Sequence, residues 1–247
     1  MIRAMIFDLD GTLIQTERLK AISYAQAVAE LCPAPIAEMD IIEAYKQVVG
    51  ESRAEVARYL VDKFRLEFKS KRTMVEFSGL EDWQILIQVR LEKYASMLAE
   101  PEILLSHRWP FNLAVLEAAR AGDCKTGLAT MSSAAQTNRI LKALGMEDEF
   151  DFIGTRDDIE NGKPDPEIYD LVICELEVQP SQALVLEDSP AGISAAQAAG
   201  AHVIAVTTPF TRDRVHKMGL DPRWVVDEAQ EVGNVVRELL AGLQSEG

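Results

Sequence analysis

Two aspartates stand two positions apart in Asp8-Leu9-Asp10-Gly11-Thr12, directly after the apolar run Ala4-Met5-Ile6-Phe7. Glu187 and Asp188 follow a second apolar run, Ala183-Leu184-Val185-Leu186. Thr130 ends a third run and is followed by Ser132 and Ser133. Lys163, in Asn161-Gly162-Lys163-Pro164-Asp165-Pro166, precedes a stretch with helical spacing. The apolar runs read as buried strands of a parallel sheet, and in such sheets ligands bind beyond the carboxyl ends of the strands. The sequence therefore predicts one sheet edge that carries four carboxylates, a lysine and several hydroxyls.

Four carboxylates cannot simply crowd together. Two like charges 4 Å apart cost about 4 kcal/mol at an effective dielectric of 20. They must take up protons or share a cation, and a small ion with oxygen ligands suits the set, with Mg²⁺ the usual choice beside a phosphate. Asp8, Asp10, Glu187 and Asp188 are the candidate ligands, with Glu187 placed either on the metal or behind it. Carboxylates, Mg²⁺ and a lysine together suit attack by an aspartate on phosphorus. Asp8 is the candidate nucleophile. Asp10 is placed to protonate the leaving oxygen and then to take a proton from water. Thr130 and Lys163 would hold the phosphoryl oxygens, helped by the backbone at Leu9 and Gly11 and by the helix start after Ser132. Plainer readings exist: Asp8 and Asp10 as helix-capping turn residues, and Thr130 as an ordinary strand residue. Lys163 is not a P-loop lysine, because Pro164 stands where Ser or Thr is needed.

The elements that must position these groups alternate. After Pro101, helices are predicted at Pro110 to Ala121, Ala134 to Leu144, Asp165 to Leu176, Ala191 to Ala199 and Val232 to Leu240. Strands are predicted at Lys125 to Thr130, Phe150 to Thr155, Ala183 to Leu186, His202 to Val206 and Trp224 to Val226, with a frayed tail from Gln244 to Gly247. Between residues 17 and 100 only helical periodicity is seen: Leu19, Ile22, Ala25 and Ala29 on one face, then Val56, Tyr59, Leu60 and Phe64, then Ile85, Leu86, Val89 and Tyr94. Pro33 and Pro35 mark one break in it. The expected architecture is α/β, a doubly wound parallel sheet formed by residues 1–16 and 101–247, with an all-helical insert at 17–100.

A formal charge of −15 and a pI of about 4.7 repel nucleic acid and anionic membrane surfaces, so neither is an expected partner. The three cysteines, Cys32, Cys124 and Cys174, have no metal-ligand spacing and read as small core residues of a reducing, cytoplasmic compartment. The amino-terminal apolar run reaches Asp8 too early for a signal-peptide core, and no run approaches the ~18 residues of a spanning helix. The acidic stretches at Glu147 to Asp151 and at Asp157-Asp158 read as solvated faces.

Taken as an ordered set, Asp8-Leu9-Asp10-Gly11-Thr12, Leu128-Ala129-Thr130, Gly162-Lys163-Pro164-Asp165-Pro166 and Leu186-Glu187-Asp188-Ser189-Pro190-Ala191-Gly192 resemble the four motifs of the haloacid dehalogenase-like superfamily. The resemblance covers essentially the whole chain, insert included. The Glu187-Asp188-Ser189 form is similar to the branch of β-phosphoglucomutases and sugar-phosphate phosphatases. It implies a phosphatase of a small phosphorylated sugar or polyol, with a helical cap that closes over the site and reads the leaving group. A sugar-phosphate mutase is the second reading, and a catalytically silent receiver or metabolite-binding domain the third.

Gly50-Glu51-Ser52-Arg53 resembles a cap element in which the arginine binds the substrate's non-transferring phosphate. The alternative there is an N-cap Ser52 with an exposed Arg53. Lys20 stands where mutase-like members carry a histidine, and Gln15 where the family often has aspartate. Lys20 is a second candidate substrate contact; its departure weighs against the mutase, and that at Gln15 points to a substrate different from that of better-known relatives.

Overall fold

The computed structural model describes residues 1–32, 36–49, 52–68, 77–122 and 124–245. Two compact units divide the chain, one formed by Met1–Gln15 with Leu104–Gly247 and the other by Thr16–Ile103.

The first unit is built on six parallel strands: β1 (Ala4–Phe7), β2 (Lys125–Ala129), β3 (Phe152–Gly154), β4 (Ala183–Glu187), β5 (His202–Val206) and β6 (Val225–Val226). Their order is β3-β2-β1-β4-β5-β6. The side chains of β1 and β4 are buried throughout, which is why these strands are apolar at every position before Glu187 instead of alternating. Successive residues of β1 point to opposite faces. Ala4 and Ile6 join a core cluster with Ile168, Tyr169 and Val172 of one helix and Ala195 and Ala196 of another. Met5 looks the other way, onto a groove lined by Val115 and Val236 from two further helices. Layers thus cover both faces, as the sequence predicts for a doubly wound sheet. Each fully buried Leu or Ile in such a core contributes roughly 1.5–3 kcal/mol.

In the helical unit lie α1 (Thr16–Leu31), α2 (Glu38–Lys46), α3 (Arg53–Phe64) and α4 (Asp82–Ala99), followed at the junction by α5 (Pro101–Ser106). The helices α1 and α4 pack together, as do α1 with α2 and α3 with α4. Among the described residues of this unit no strand forms. Around the sheet run α6 (Pro110–Ala121), α7 (Ala134–Leu144), α8 (Glu167–Glu175), α9 (Pro190–Ala198), the short α10 (Arg212–His216) and α11 (Val232–Ser245). Local chemistry sets several ends. Ser52 closes a full capping box with Glu55, Pro110 and Pro190 open α6 and α9, and Gly145 ends α7 with a left-handed φ of 68°.

Some expectations need correction. The last helix continues through Ser245, past the predicted fraying point, while Glu246 and Gly247 lie outside the described residues. Strand β3 begins at Phe152, because Phe150 and Asp151 lie in the approach to it and Asp151 N–H bonds Thr126 O instead. On α1, Ile22 is only half-buried and Ala29 is exposed, whereas Tyr24, Val28 and Leu31 are buried; α1 has neighbours on two sides, and so no single stripe describes it. The cysteines are not core residues: Cys32 and Cys124 are half-buried and Cys174 is exposed. Pro33, Pro35, Gly50 and Glu51 lie outside the described residues. No helix of the described residues is long and apolar enough to cross a membrane.

Candidate active site

Register assembles the site. Phe7 pairs with Leu128 on one side and Leu186 on the other. One residue further along, Asp8 leaves β1 level with Ala129 and Glu187; a second step brings Thr130 and Asp188 past their strand ends, and a third brings Asp10 past β1. Asp8 N–H donates to Leu186 O at 3.1 Å, so the backbone still fixes this aspartate where the side chain emerges.

Lys163 is the hub. Its side chain is 4% exposed, and its Nζ donates to Asp8 Oδ1 at 2.7 Å, to Glu187 Oε1 at 2.7 Å and to Ala129 O at 3.0 Å. All three N–H bonds of the ammonium are therefore directed. The face of Tyr169 lies beneath it, 4.8 Å from ring centre to Nζ. The peptide bond between Lys163 and Pro164 is cis. Burial alone would depress the lysine, yet Asp8 and Glu187 override it and hold Lys163 well above its usual value, charged throughout the working range. Burial also pushes Asp8 up to about 8; Lys163 opposes the shift, and Glu187 and Asp10 reinforce it.

Glu187 is fully engaged. Oε1 accepts from Lys163 and from Tyr169 Oη at 3.2 Å, and Oε2 accepts from Ser189 N–H at 2.8 Å and Ser189 Oγ at 3.1 Å. Gly192 makes room for it, since a Cβ there would lie 1.6 Å from Glu187 Oε1. Oxygens of Asp8, Glu187 and Asp188 lie within 4.8 Å of one another, a buried group able to surround a cation. Gly11 serves Asp188 in two ways: its φ is +94°, and a Cβ would lie 2.3 Å from Asp188 Oδ2.

Asp10 faces a different set. Its Oδ2 accepts from Ser132 Oγ at 2.6 Å and from Thr130 Oγ1 at 3.4 Å, and Thr130 Oγ1 accepts from Ser132 N–H at 3.1 Å. Several donors expected to meet a phosphate already have protein acceptors. Gly11 N–H donates to Ile14 O at 2.7 Å. At the start of α7, Ala134 N–H goes to Asp157 Oδ2 at 2.9 Å and Gln136 N–H to Ser133 Oγ at 3.4 Å. Asp157 and Asp158 are exposed, as the sequence predicts, and also bond locally, Asp157 to the start of α7 and Asp158 to Thr155 Oγ1 at 2.6 Å. In the other acidic stretch Glu149 pairs with Arg120, and Asp151 accepts from Thr126 N–H at 2.7 Å.

The structure therefore brings Asp8, Lys163, Glu187 and Asp188 into one buried cluster, with Asp10, Thr130 and Ser132 as a hydroxyl-lined group beside it. The two insert candidates belong to the helical unit. Lys20 pairs with Glu17 at 2.6 Å, and Arg53 is exposed at the first position of α3. Sequence reasoning missed Tyr169, and it placed Ser189 and Gly192 in the fourth motif without assigning their contacts with Glu187. Tyr169 looks like any apolar-face residue of α8, and only its hydroxyl beneath Glu187 distinguishes it.

An aspartate-centred site at the carboxyl edge of a doubly wound sheet interrupted by a helical insert defines a class of α/β hydrolytic enzymes. Residues 5–206 match the haloacid dehalogenase-like hydrolase family, and the chain belongs to it. It is 30% identical over 237 residues to the phosphorylated carbohydrates phosphatase of Thermotoga maritima, covering 96% of this chain and 99% of that one. It is 28% identical over 219 residues to the phosphoglycolate phosphatase of Rhodospirillum rubrum, covering 89% of this chain and 85% of that one. Among solved structures it is similar to CbbY of Rhodobacter sphaeroides in complex with xylulose-(1,5)bisphosphate, with 25% identity, a TM-score of 0.66 and coverage of 94% and 97%.

Proposed function

We propose that the chain is a Mg²⁺-dependent phosphatase of a small phosphorylated metabolite, a sugar or polyol phosphate, acting through a phosphorylated aspartate at Asp8. The observation that carries the reading is Lys163, buried and bonded at 2.7 Å to both Asp8 and Glu187, with Asp188 in the same carboxylate group. Relatives named as phosphatases of phosphorylated carbohydrates and of phosphoglycolate support the substrate class.

The donor set fits a hard dication: three buried carboxylates lie within 4.8 Å of one another, and the lysine offsets only part of their charge. Asp8 and Asp188 would hold the ion, with Asp10 beside them. Glu187, whose two oxygens both accept protein hydrogen bonds, suits orientation better than ligation. When bound, Mg²⁺ would offset the carboxylates and the incoming phosphate.

Lys163 fixes Asp8 Oδ1, which leaves Oδ2 to attack phosphorus. The P–O bond to the metabolite breaks as an acyl phosphate forms on Asp8. Asp10, steadied by Ser132 and Thr130, gives its proton to the departing oxygen. It then takes a proton from the water that cleaves the acyl phosphate. Lys163 remains charged throughout and faces the charge that builds up on the phosphoryl oxygens.

A panel of phosphorylated metabolites, assayed for phosphate release with Mg²⁺, with chelator and with Asp8→Asn, tests this. Release should require Mg²⁺ and fall by about 10⁴-fold or more in Asp8→Asn, as for other lost nucleophiles. Release that survives Asp8→Asn removes the nucleophile, and release indifferent to chelator removes the metal. No release, together with sugar-phosphate isomerisation primed by a bisphosphate, would replace the phosphatase by the mutase.

A further inference from the structure

Helix α6 carries a residue that its pattern does not call for. Its buried positions are Asn112, Val115, Leu116 and Ala119, an i, i+3, i+4, i+7 stripe that is apolar except at its first place. Asn112 is 3% exposed, and among the described residues its Oδ1 meets no donor. A buried amide with an unanswered oxygen is costly, and an apolar side chain of similar size would fill the place at less cost. What the amide supplies there is its other half. Asn112 Nδ2 donates at 2.6 Å to the carbonyl oxygen of Thr12, 100 residues earlier in the chain.

Thr12 is itself fully buried, in the turn that joins Asp10 to Ile14. The turn satisfies much of its own backbone. Gly11 N–H donates to Ile14 O at 2.7 Å, and the N–H groups of Leu13 and Ile14 both donate to Leu9 O, at 3.0 and 3.1 Å. Leu13 O accepts from Trp109 N–H at 2.9 Å. The Thr12 carbonyl takes no part in these bonds, and Asn112 supplies its partner. On its other side the turn has little freedom, because a Cβ on Gly11 would lie 2.3 Å from Asp188 Oδ2. Asp10 stands at the head of the turn, with its Oδ2 against Ser132 Oγ at 2.6 Å. Asp8 is still fixed by its own N–H bond to Leu186 O. A displacement of the turn therefore falls on Asp10 and spares Asp8.

We propose that Asn112 is a positioning residue for the reaction: its amide clamps the Thr12 carbonyl and so sets the turn that aims Asp10 at the departing oxygen. This role rests on the reading of Asp10 as the general acid and base. It asks nothing of Asn112 at the substrate, and its effect passes through the turn. Proton transfer demands close placement, so a small shift of the acid is felt in rate before it is felt in binding.

Kinetics of Asn112→Leu, which keeps roughly the volume and removes the donor, test the role. The quantity to follow is kcat/KM, which reports the step that expels the leaving group. For a sugar or polyol phosphate it should fall about tenfold to a hundredfold. For p-nitrophenyl phosphate, whose phenolate departs with little need of a proton, the fall should be about threefold or less. In Asp10→Asn, adding Asn112→Leu should lower the sugar-phosphate rate no further, because the group through which Asn112 acts is already lost. A residue that only supports the fold would slow both phosphates alike and would add its loss to that of Asp10→Asn. Circular dichroism checks folding. If Asn112→Leu does not fold, Asn112→Ala, which only removes atoms, takes its place, and loss of the fold in both would overturn the positioning role. With Asp10→Asn impaired, full activity in Asn112→Leu, equal losses on the two phosphates or additive losses would overturn that role and leave Asp10 as the acid. Wild-type turnover in Asp10→Asn would overturn Asp10 as the acid, and the role of Asn112 with it.

Discussion

The core and the helical unit each bury a cation, and they do so in opposite ways. Lys163 sits in a cage of acceptors, with Asp8, Glu187 and the Ala129 carbonyl each taking one N–H. Arg90 lies between the rings of Tyr24 and Tyr94, with no carboxylate partner among the described residues. The first arrangement is complete in charge and geometry, so it rigidifies; the second lacks its counter-charge. A buried ion with all its partners is held rigidly, and one that rests on aromatic faces carries part of its burial cost unmet.

The largest effect that could break this contrast concerns chemistry. Asp10→Asn should lower kcat by roughly 10²- to 10⁴-fold, the range for one general acid/base group. Turnover at the wild-type level in this variant would take Asp10 out of the mechanism.

Stability sharpens the contrast next. Lys163→Met strands two buried carboxylates, and breaking such a pair costs about 3–5 kcal/mol. In a chain of this size that is a fall in Tm of roughly 10 °C or more. Arg90→Met abandons no carboxylate and replaces a charge by an apolar chain, so its Tm should stay within about 3 °C of wild type or rise. Equal losses in the two variants, measured by thermal denaturation, would erase the distinction.

The pH dependence comes third. With Asp8 raised to about 8 in the folded protein, the folded state binds the extra proton. Its contribution to stability is full below the ordinary aspartate range, near 4, and is lost as pH rises through about 8. In chelator, Tm should therefore fall from pH 5 to pH 8. In Asp8→Asn this slope should be much flatter, and a slope unchanged in that variant would place its origin elsewhere. The smallest effect belongs to the helical unit: Ser52→Ala removes one half of a capping box and should cost about 1 kcal/mol with no change in the core.

The same contrast explains what the sequence could tell. Asp8, Glu187 and Asp188 follow apolar runs, and once those runs are parallel strands, register alone carries them to one edge. Strand alternation has a fixed period, and so the positions of these side chains were legible. The setting of Arg90 depends on how two helices lie across one another. Helical periodicity marks Tyr94 as a core position and is silent on Tyr24 and Arg90 meeting through space. The expected Ile22 and Ala29 face of α1 failed for the same reason, since a helix with neighbours on two sides has no single stripe. Donors were misread where loops intervened: the N–H groups of Gly11 and Ala134 looked open in the sequence and are held by Ile14 and Asp157.

The strand order has a consequence in time. Asp8 and Lys163 meet across 155 residues of chain, and β1 lies between β2 and β4, whose first residues are Lys125 and Ala183. At about 5–20 residues per second, the first strand waits on the order of ten seconds during synthesis before its second neighbour exists. The intervening helical unit packs from contacts of shorter range and can form meanwhile. Until β2 and then β4 are made, Ala4–Phe7 is an apolar segment with at least one edge open, the kind of segment that chaperones and unwanted strand pairing compete for. The first strand made gains its second neighbour only when β4 follows, and any truncation before β4 leaves an edge of that strand permanently open.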